Sequence, residues 1–221
     1  MDNSLKEPTS RGMGIRDAIA PLGWVPTDER SACLVRFIES VQKAPISLVS
    51  RGDRERLVAR HLIPSLGALP FLPEHGKVLD IGSGGGFPAI PLAIARPDLE
   101  FVLVDSTRKK VDFLNETIRS ISLTNATVMW VRAEELVEDP NFVGSFQTVT
   151  ARAVAKLREL LPVIKKLLVP EGEAILWKGR NWRREGQLQR FGFVLEQELP
   201  LSDGSVLLVL SQGENERPRH A

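Results

Sequence analysis

The chain changes rhythm near Lys77. Before it, apolar residues recur at helical spacing; after it, short apolar runs alternate with amphipathic stretches. From Thr27 the positions Ala32, Val35, Phe37, Ile38 and Val41 make an apolar stripe, with Thr27 or Asp28 as the cap and Pro45 as the stop, which predicts a helix. A second helix is predicted over about residues 53–63, with Leu57, Val58 and residues 61–63 on its apolar side, before Pro64, Pro70 and Pro73 break the chain. Beyond it, residues 77–82, 100–105, 127–131, 146–151 and 173–178 read as strands, short apolar runs bounded by turn residues. Residues 87–95, 106–120 and 154–168 read as helices, the last bent or restarted at Pro162, and a short basic helix is predicted around residues 182–190. Residues 193–199 and 205–211 close the chain as two strands about the turn Ser202-Asp203-Gly204-Ser205. Alternating strands and helices predict a doubly wound α/β sheet, and the closing hairpin makes its last strand antiparallel. Residues 1–25, polar and punctuated by Gly and Pro, read as a loose tail. The predicted organisation is therefore tail 1–25, helical unit 26–75, α/β domain 76–212 and a short tail over 213–221.

Composition adds bounds. With 221 residues, 43% of them hydrophobic, the chain suffices for one α/β domain and a small appendage, and it is not disordered. Cys33 is the only cysteine, which excludes an internal disulfide and a cysteine-clustered zinc site. No stretch approaches a membrane span and residues 1–14 lack an apolar h-region, so a cytoplasmic protein without a membrane partner is expected. The formal charge of +1 leaves partners open, but Lys178, Arg180, Arg183, Arg184 and Arg190 stand close together against Glu185 alone.

The most informative segment is Asp80-Ile81-Gly82-Ser83-Gly84-Gly85-Gly86-Phe87-Pro88, which leaves a predicted strand and enters a helix. Glycines there permit tight turning and close approach of a ligand to the backbone. The dinucleotide pattern would need glycine where Phe87 stands, and no P-loop sequence is present. Asp80, just before the first glycine, suits an ammonium group and disfavours a pyrophosphate. Asp105 ends the next predicted strand, where an acid can accept both hydroxyls of a ribose. S-adenosylmethionine, with a ribose, an ammonium and a sulfonium but no phosphate, fits this arrangement better than NAD or ATP.

The acceptor is narrowed by what is absent. Cys33 lies far from any strand end, which disfavours a thiolate-dependent pyrimidine C5 transfer. Thr150-Ala151-Arg152-Ala153 follows the fourth strand where exocyclic-amine methyltransferases carry an Asn/Asp-Pro-Pro-aromatic motif. A guanine N7 has a free lone pair and needs positioning rather than a base, and Arg or Lys pairs with the O6/N7 edge. Arg152 and Lys178, at predicted C-terminal strand ends, are the candidate catalytic cations, with ordinary surface charge as the competing reading. Trp177, Trp182 and the following arginines read either as an RNA-stacking and phosphate-binding face or as a core tryptophan beside a solvated helix. His61 reads as a packed, hydrogen-bonded residue. A different acceptor, small molecule or protein, and a non-catalytic RNA-binding role both stay open at this level.

The blocks VLDIGSGGGFPAIPLAIARPDLEFVLVDSTRKKVDFL, VRAEEL, TARAVA and LWKG, with ARHLIPSL ahead of them, resemble the RsmG (GidB) family of 16S ribosomal RNA guanine-N7 methyltransferases over about residues 37–210. The resemblance implies a seven-stranded, Rossmann-like class I methyltransferase sheet with an N-terminal helical cap. It places Gly82, Phe87, Ala133, Glu134 and Arg152 at cofactor-contacting positions, with Asp80, Gly84, Gly86 and Asp105 in the same pocket. Arg132, Arg152 and Lys178 fall on its basic positions, and Arg180, Arg183 and Arg184 extend the expected RNA face. The implied cofactor is S-adenosylmethionine and the implied partner is 16S ribosomal RNA in the small subunit, met by a monomer. The chain departs from the family pattern at Pro64, where aspartate is usual.

Overall fold

A computed structural model of the chain describes residues 12–213. Seven strands form one sheet in the order β3-β2-β1-β4-β5-β7-β6. They are β1 (Lys77–Ile81), β2 (Glu100–Asp105), β3 (Ala126–Trp130), β4 (Phe146–Arg152), β5 (Leu168–Lys178), β6 (Phe193–Pro200) and β7 (Val206–Gln212). The first five pair in parallel, and β7 runs antiparallel to both β5 and β6. β1 and β4 are buried along almost their whole length, as central parallel strands covered on both faces are, although β4 carries Thr148 and Thr150 among its apolar residues. The chain winds outward from β1 through β2 to β3, then restarts on the other side at β4. Between the C-terminal ends of β1 and β4 the direction of winding reverses, and there an open α/β sheet leaves a crevice.

One face of the sheet is covered by the N-terminal helices together with α4 (Ala89–Ala95) and α5 (Arg108–Ser120), and the other by α6 (Ala133–Leu136) and α7 (Leu157–Leu167). The leading helices are α1 (Gly12–Ile19) and α2 (Asp28–Lys43). In α2 the Thr27 hydroxyl accepts the Arg30 N–H, as expected of a cap, and Leu34, Phe37, Ile38 and Val41 form the buried stripe. Ala32 is exposed and Val35 only half-buried, so the apolar stripe lies slightly round the helix from its predicted position.

Three differences from the sequence reading have physical causes. From Gly12 onward the expected loose tail is instead helical: Ile15 (4% exposed) and Ile19 (0%) join the core through α1. An eight-residue helix carrying two inward isoleucines shows little periodicity on its own. Residues 1–11 and 214–221, the rest of the expected tails, lie outside the described residues. Pro64 does not end the second helix. A π-helical stretch, Val58–Leu62, runs into α3 (Ile63–Leu66), with Pro64 in its first turn and the Arg60 carbonyl accepting from the Arg152 side chain instead of a residue 64 N–H. Finally, the basic helix is two short 3₁₀ turns, Trp182–Glu185 and Leu188–Phe191, separated by Gly186 at φ 154°. Pro162 sits inside α7 on its exposed side and leaves the buried stripe from Leu157 to Leu167 intact. Among the described residues no helix is long and apolar enough to cross a membrane.

Candidate active site

The loop after β1 is built by its backbone. The N–H groups of Gly82 and Ser83 both donate to the Val104 carbonyl, at 2.8 and 3.0 Å, tying the loop to β2. Gly86 N–H closes a turn on the Ser83 carbonyl at 2.7 Å, and Ile90 N–H continues it onto Gly86 at 2.8 Å. The turn needs left-handed backbone at Gly82 (φ 69°) and Gly86 (φ 90°). A Cβ on Gly86 would also stand 2.7 Å from the Ile90 side chain and 3.1 Å from the Phe37 ring. Gly86→Ala is therefore expected to lower folding stability by about 1–3 kcal/mol, read from urea unfolding; an unchanged midpoint would show that the loop yields freely.

Two acids bracket the loop. Asp105, 5% exposed, accepts the Gly84 N–H at 2.9 Å on Oδ2 and the Thr107 N–H at 2.8 Å on Oδ1. A carboxylate has about four acceptor sites, so capacity for ligand hydroxyls remains. Asp80 pairs in register with Thr150 of β4 and is 1% exposed. Its Oδ1 accepts the Thr150 hydroxyl at 2.6 Å, while its Oδ2 is buried with no partner. Burial, reinforced by the nearby Asp105 charge and opposed by the Thr150 hydrogen bond, pushes the Asp80 carboxyl up to about 7.

A cleft of about 140 Å³ opens above these residues. Gly82, Asp105 and Ser106 form one wall, Arg132, Ala133 and Glu134 another, and Val154, Glu159 and Leu160 a third. With three acids against one arginine, its lining suits a cation and opposes a pyrophosphate. The unpartnered Asp80 oxygen beneath the loop is a place where an ammonium group would be compensated. On both counts the residues present fit S-adenosylmethionine.

A wider cleft of about 550 Å³ adjoins it, lined among others by Arg152, Lys156, Lys178 and Asp203. Val154, Ala155 and Glu159 line both clefts. They follow Ala153, whose φ of 55° is unfavourable for a residue with a Cβ and re-aims the chain as it leaves β4. Sequence reasoning missed all three, although they sit where a ligand and an acceptor would meet.

The structure brings together Gly82, Asp105, Ala133, Glu134 and Arg132 around the smaller cleft, with Asp80, Gly84 and Gly86 in the framework beneath. Phe87 and Arg152 do not line this cleft, and their side chains point towards the helical cap. Phe87 is 7% exposed and faces the helical cap, with ring centroids 4.8 Å from Phe37 and 5.1 Å from His61. Arg152 turns towards the cap and the final hairpin. Its Nη2 donates to the Arg60 carbonyl at 2.7 Å and pairs with Asp203 at 3.0 Å, while Nη1 donates to the His61 carbonyl at 3.4 Å. Lys178 is not a free cation either. Its Nζ donates to the Ala155 carbonyl and to Glu185 Oε2, both at 2.6 Å.

The expected RNA face is also partly engaged. Arg183 pairs with Glu198 and stacks 4.5 Å over Trp182, which is buried and bonds Glu198 through its indole N–H. Arg180 donates to the Gly204 carbonyl at 3.2 Å, and Arg184 is exposed. Trp177 is core, its indole N–H on the Pro64 carbonyl at 2.8 Å. His61 is packed as expected, but Asp53 Oδ2 is 3.6 Å from Nε2, which has no hydrogen-bond partner. Burial, with the Arg152 charge, lowers His61 to about 4, so the ring is neutral near neutral pH.

Strand order, winding reversal and an acid-flanked glycine loop together define a class I S-adenosylmethionine-dependent methyltransferase. A solved S-adenosylmethionine-dependent methyltransferase from Aquifex aeolicus shares the fold, with a TM-score of 0.56 at 16% identity over 79% of this chain and 98% of that one. Residues 30–206 match the family described as rRNA small subunit methyltransferase G, and the chain belongs to that family. Relatives named ribosomal RNA small subunit methyltransferase G include one from Geobacter sp. (strain M21), 38% identical over 67% of this chain and 69% of its own length. Another, from Sorangium cellulosum (strain So ce56), is 37% identical over 79% and 76%.

Proposed function

We propose that the chain transfers the methyl group of S-adenosylmethionine to N7 of a guanine in 16S ribosomal RNA, working as a cytoplasmic monomer on the small subunit. The observation that carries this reading is the contact between two clefts across Val154, Ala155 and Glu159, one with three acids against one arginine and the other where Arg152, Lys156 and Lys178 meet Glu159, Glu185 and Asp203. The cofactor supplies a methyl group made electrophilic by its sulfonium. The chain's own residues supply position and field.

Gly82 and the backbone after it allow close approach to the loop. Asp105 accepts ribose hydroxyls, and Ala133 with Glu134 borders the adenine. Asp80 compensates the ammonium. In the wider cleft, Lys178 has three N–H donors, of which two are engaged. The third is available to guanine O6 or a phosphate. Ring-nitrogen attack through a lone pair needs no proton removed, so no general base is assigned. Arg152 is a positioning residue: it fixes the wall of the acceptor cleft by joining β4, the cap and the β6–β7 turn. Arg132, Arg180, Arg183 and Arg184 surround the edge that meets RNA.

The test uses labelled S-adenosylmethionine and small subunits from cells lacking the protein, with cleavage specific for 7-methylguanine to locate the product. One cleavage in 16S RNA is expected. Absence of incorporation, with cofactor binding confirmed, would overturn the proposed acceptor. Lys178→Ala is expected to reduce transfer by ~10²-fold while keeping affinity for S-adenosylhomocysteine; full activity would remove Lys178 from the mechanism.

A further inference from the structure

An exposed tryptophan stands at the opposite end of the ligand edge from the arginine-rich segment. Trp130, the last residue of edge strand β3, is 58% exposed, the only aromatic among the exposed large hydrophobics of the described residues. Its one polar atom is fixed: the indole N–H donates to the Ser106 carbonyl at 3.0 Å. That bond sets the orientation of the ring and leaves its apolar surface to solvent. The Arg108 guanidinium lies 5.1 Å from the ring centroid, itself oriented by Asp112.

A groove of about 360 Å³ runs along this ring, lined by Ser106, Trp130, Val131, Arg132 and Glu135. Ser106, Val131 and Arg132 also line the cofactor cleft, so the groove continues that cleft outward. The charges nearby differ in availability. On the far side, Lys178, Arg152 and Arg183 are each ion-paired, with Glu185, Asp203 and Glu198, while Arg180 and Arg184 are exposed and form no ion pair among the described residues. Here Arg132, which lines the groove together with Glu135, is exposed and forms no ion pair among the described residues. An anchored aromatic plane beside an unpaired arginine is the chemistry of a nucleotide site: the plane accepts a base and the arginine accepts a phosphate.

We propose that Trp130 is a base-stacking subsite for single-stranded RNA, with Arg132 taking an adjacent phosphate, so that bound RNA spans the whole ligand edge from Arg180 to Trp130. This rests on the proposed ribosomal RNA acceptor and adds a second anchor, on the cofactor side of the reacting base. A stacked base is worth ~1–3 kcal/mol, so removing the ring should weaken binding by about 5–100-fold.

The experiment titrates the protein with a fluorescently labelled, mixed-sequence single-stranded RNA dodecamer at low salt, reading RNA anisotropy and, with unlabelled RNA, tryptophan emission. Wild type is expected to bind, with emission quenched as RNA is added. Trp130→Phe, which keeps a stacking plane, should bind within about threefold and lose most of the quench. Trp130→Ala should bind at least fivefold more weakly, while affinity for S-adenosylhomocysteine stays within twofold. Quenching that persists in Trp130→Phe, or equal RNA affinity in Trp130→Ala, would overturn the subsite. So would a loss of cofactor affinity parallel to the loss of RNA affinity, which would make the ring a support of the cofactor cleft. No RNA binding by wild type would overturn it as well. Quenching through Trp130 in a protein that methylates no 16S guanine would keep the subsite and reject the acceptor, whereas methylation with no role for Trp130 would do the reverse.

Discussion

Arg152→Ala is expected to lower the thermal midpoint by roughly 6–20 °C, from a loss of about 3–5 kcal/mol spread over a chain of this size. The side chains of Arg152 and Asp203 are 13% and 7% exposed, so truncating the arginine leaves a carboxylate in a poorly solvated place. Asp203 still receives the Ser205 N–H and hydroxyl, which puts the expected loss towards the lower end of that range. The Arg60 carbonyl also loses its partner. In a regular helix that carbonyl would accept from residue 64, but Pro64 has no N–H, and Arg152 fills the vacancy at 2.7 Å. Adding Asp203→Asn to Arg152→Ala should restore part of the stability, because the uncompensated charge is gone while the carbonyl remains unpaired. Differential scanning calorimetry of the three variants reads both effects. A shift under about 2 °C for Arg152→Ala would mean that hydration replaces the clamp.

Asp80→Asn should weaken S-adenosylhomocysteine binding by about 10–100-fold at pH 8, the range of a lost charge-assisted contact. It should also change two pH dependences, both with definite sign. Asp80 titrates near 7 in the fold against an ordinary 3.8, so the folded state holds its proton more tightly. Its ionisation therefore erodes stability as pH rises between about 4 and 7. His61 acts oppositely: lowered from 6.5 to about 4, it makes stability fall as pH drops through that interval. In the wild type the two slopes oppose each other. In Asp80→Asn the opposing Asp80 contribution is gone, so stability should climb more steeply with pH between about 4 and 6.5 than in the wild type. Binding of an ammonium group favours the ionised carboxylate, so wild-type affinity should increase from pH 6 to pH 8, and the increase should vanish in the variant. Calorimetric titrations across that interval decide it; an identical slope in both proteins would place the ammonium elsewhere.

The parts of this molecule legible in the sequence are those set by local chemistry. β1, the glycine loop and β2 are contiguous, and the two acids sit at strand ends, so strand periodicity located the Asp80–Asp105 framework directly. Trp177 could be assigned to the core because it interrupts an apolar strand. The cations were legible as residues but not as partners. Lys178 meets Glu185 across a 3₁₀ turn, and Arg152 meets Asp203 and Arg60, which are 51 and 92 residues away in sequence. Such pairings exist only once the sheet has closed. The resemblance places Phe87 at a cofactor-contacting position, and what it does not convey is that the ring packs against Phe37 and His61 of the cap. α1 was hidden for a related reason, since Ile15 and Ile19 signal a core only when α2 and α3 are present to receive them.

The packing of Phe37 against Phe87 ties the leading helices to the cofactor loop. Ile15, Phe37, Phe87 and Ile90 belong to one continuous apolar cluster that extends into β1 and β2. The cap is thus no detachable accessory on an autonomous catalytic module. It supplies half of the wall against which the loop takes its shape, and a fragment beginning at β1 would present Phe87 and α4 to water. Cofactor site and cap form a single cooperative unit, so a perturbation that loosens residues 12–75 reaches the methyl donor without touching any residue that contacts it.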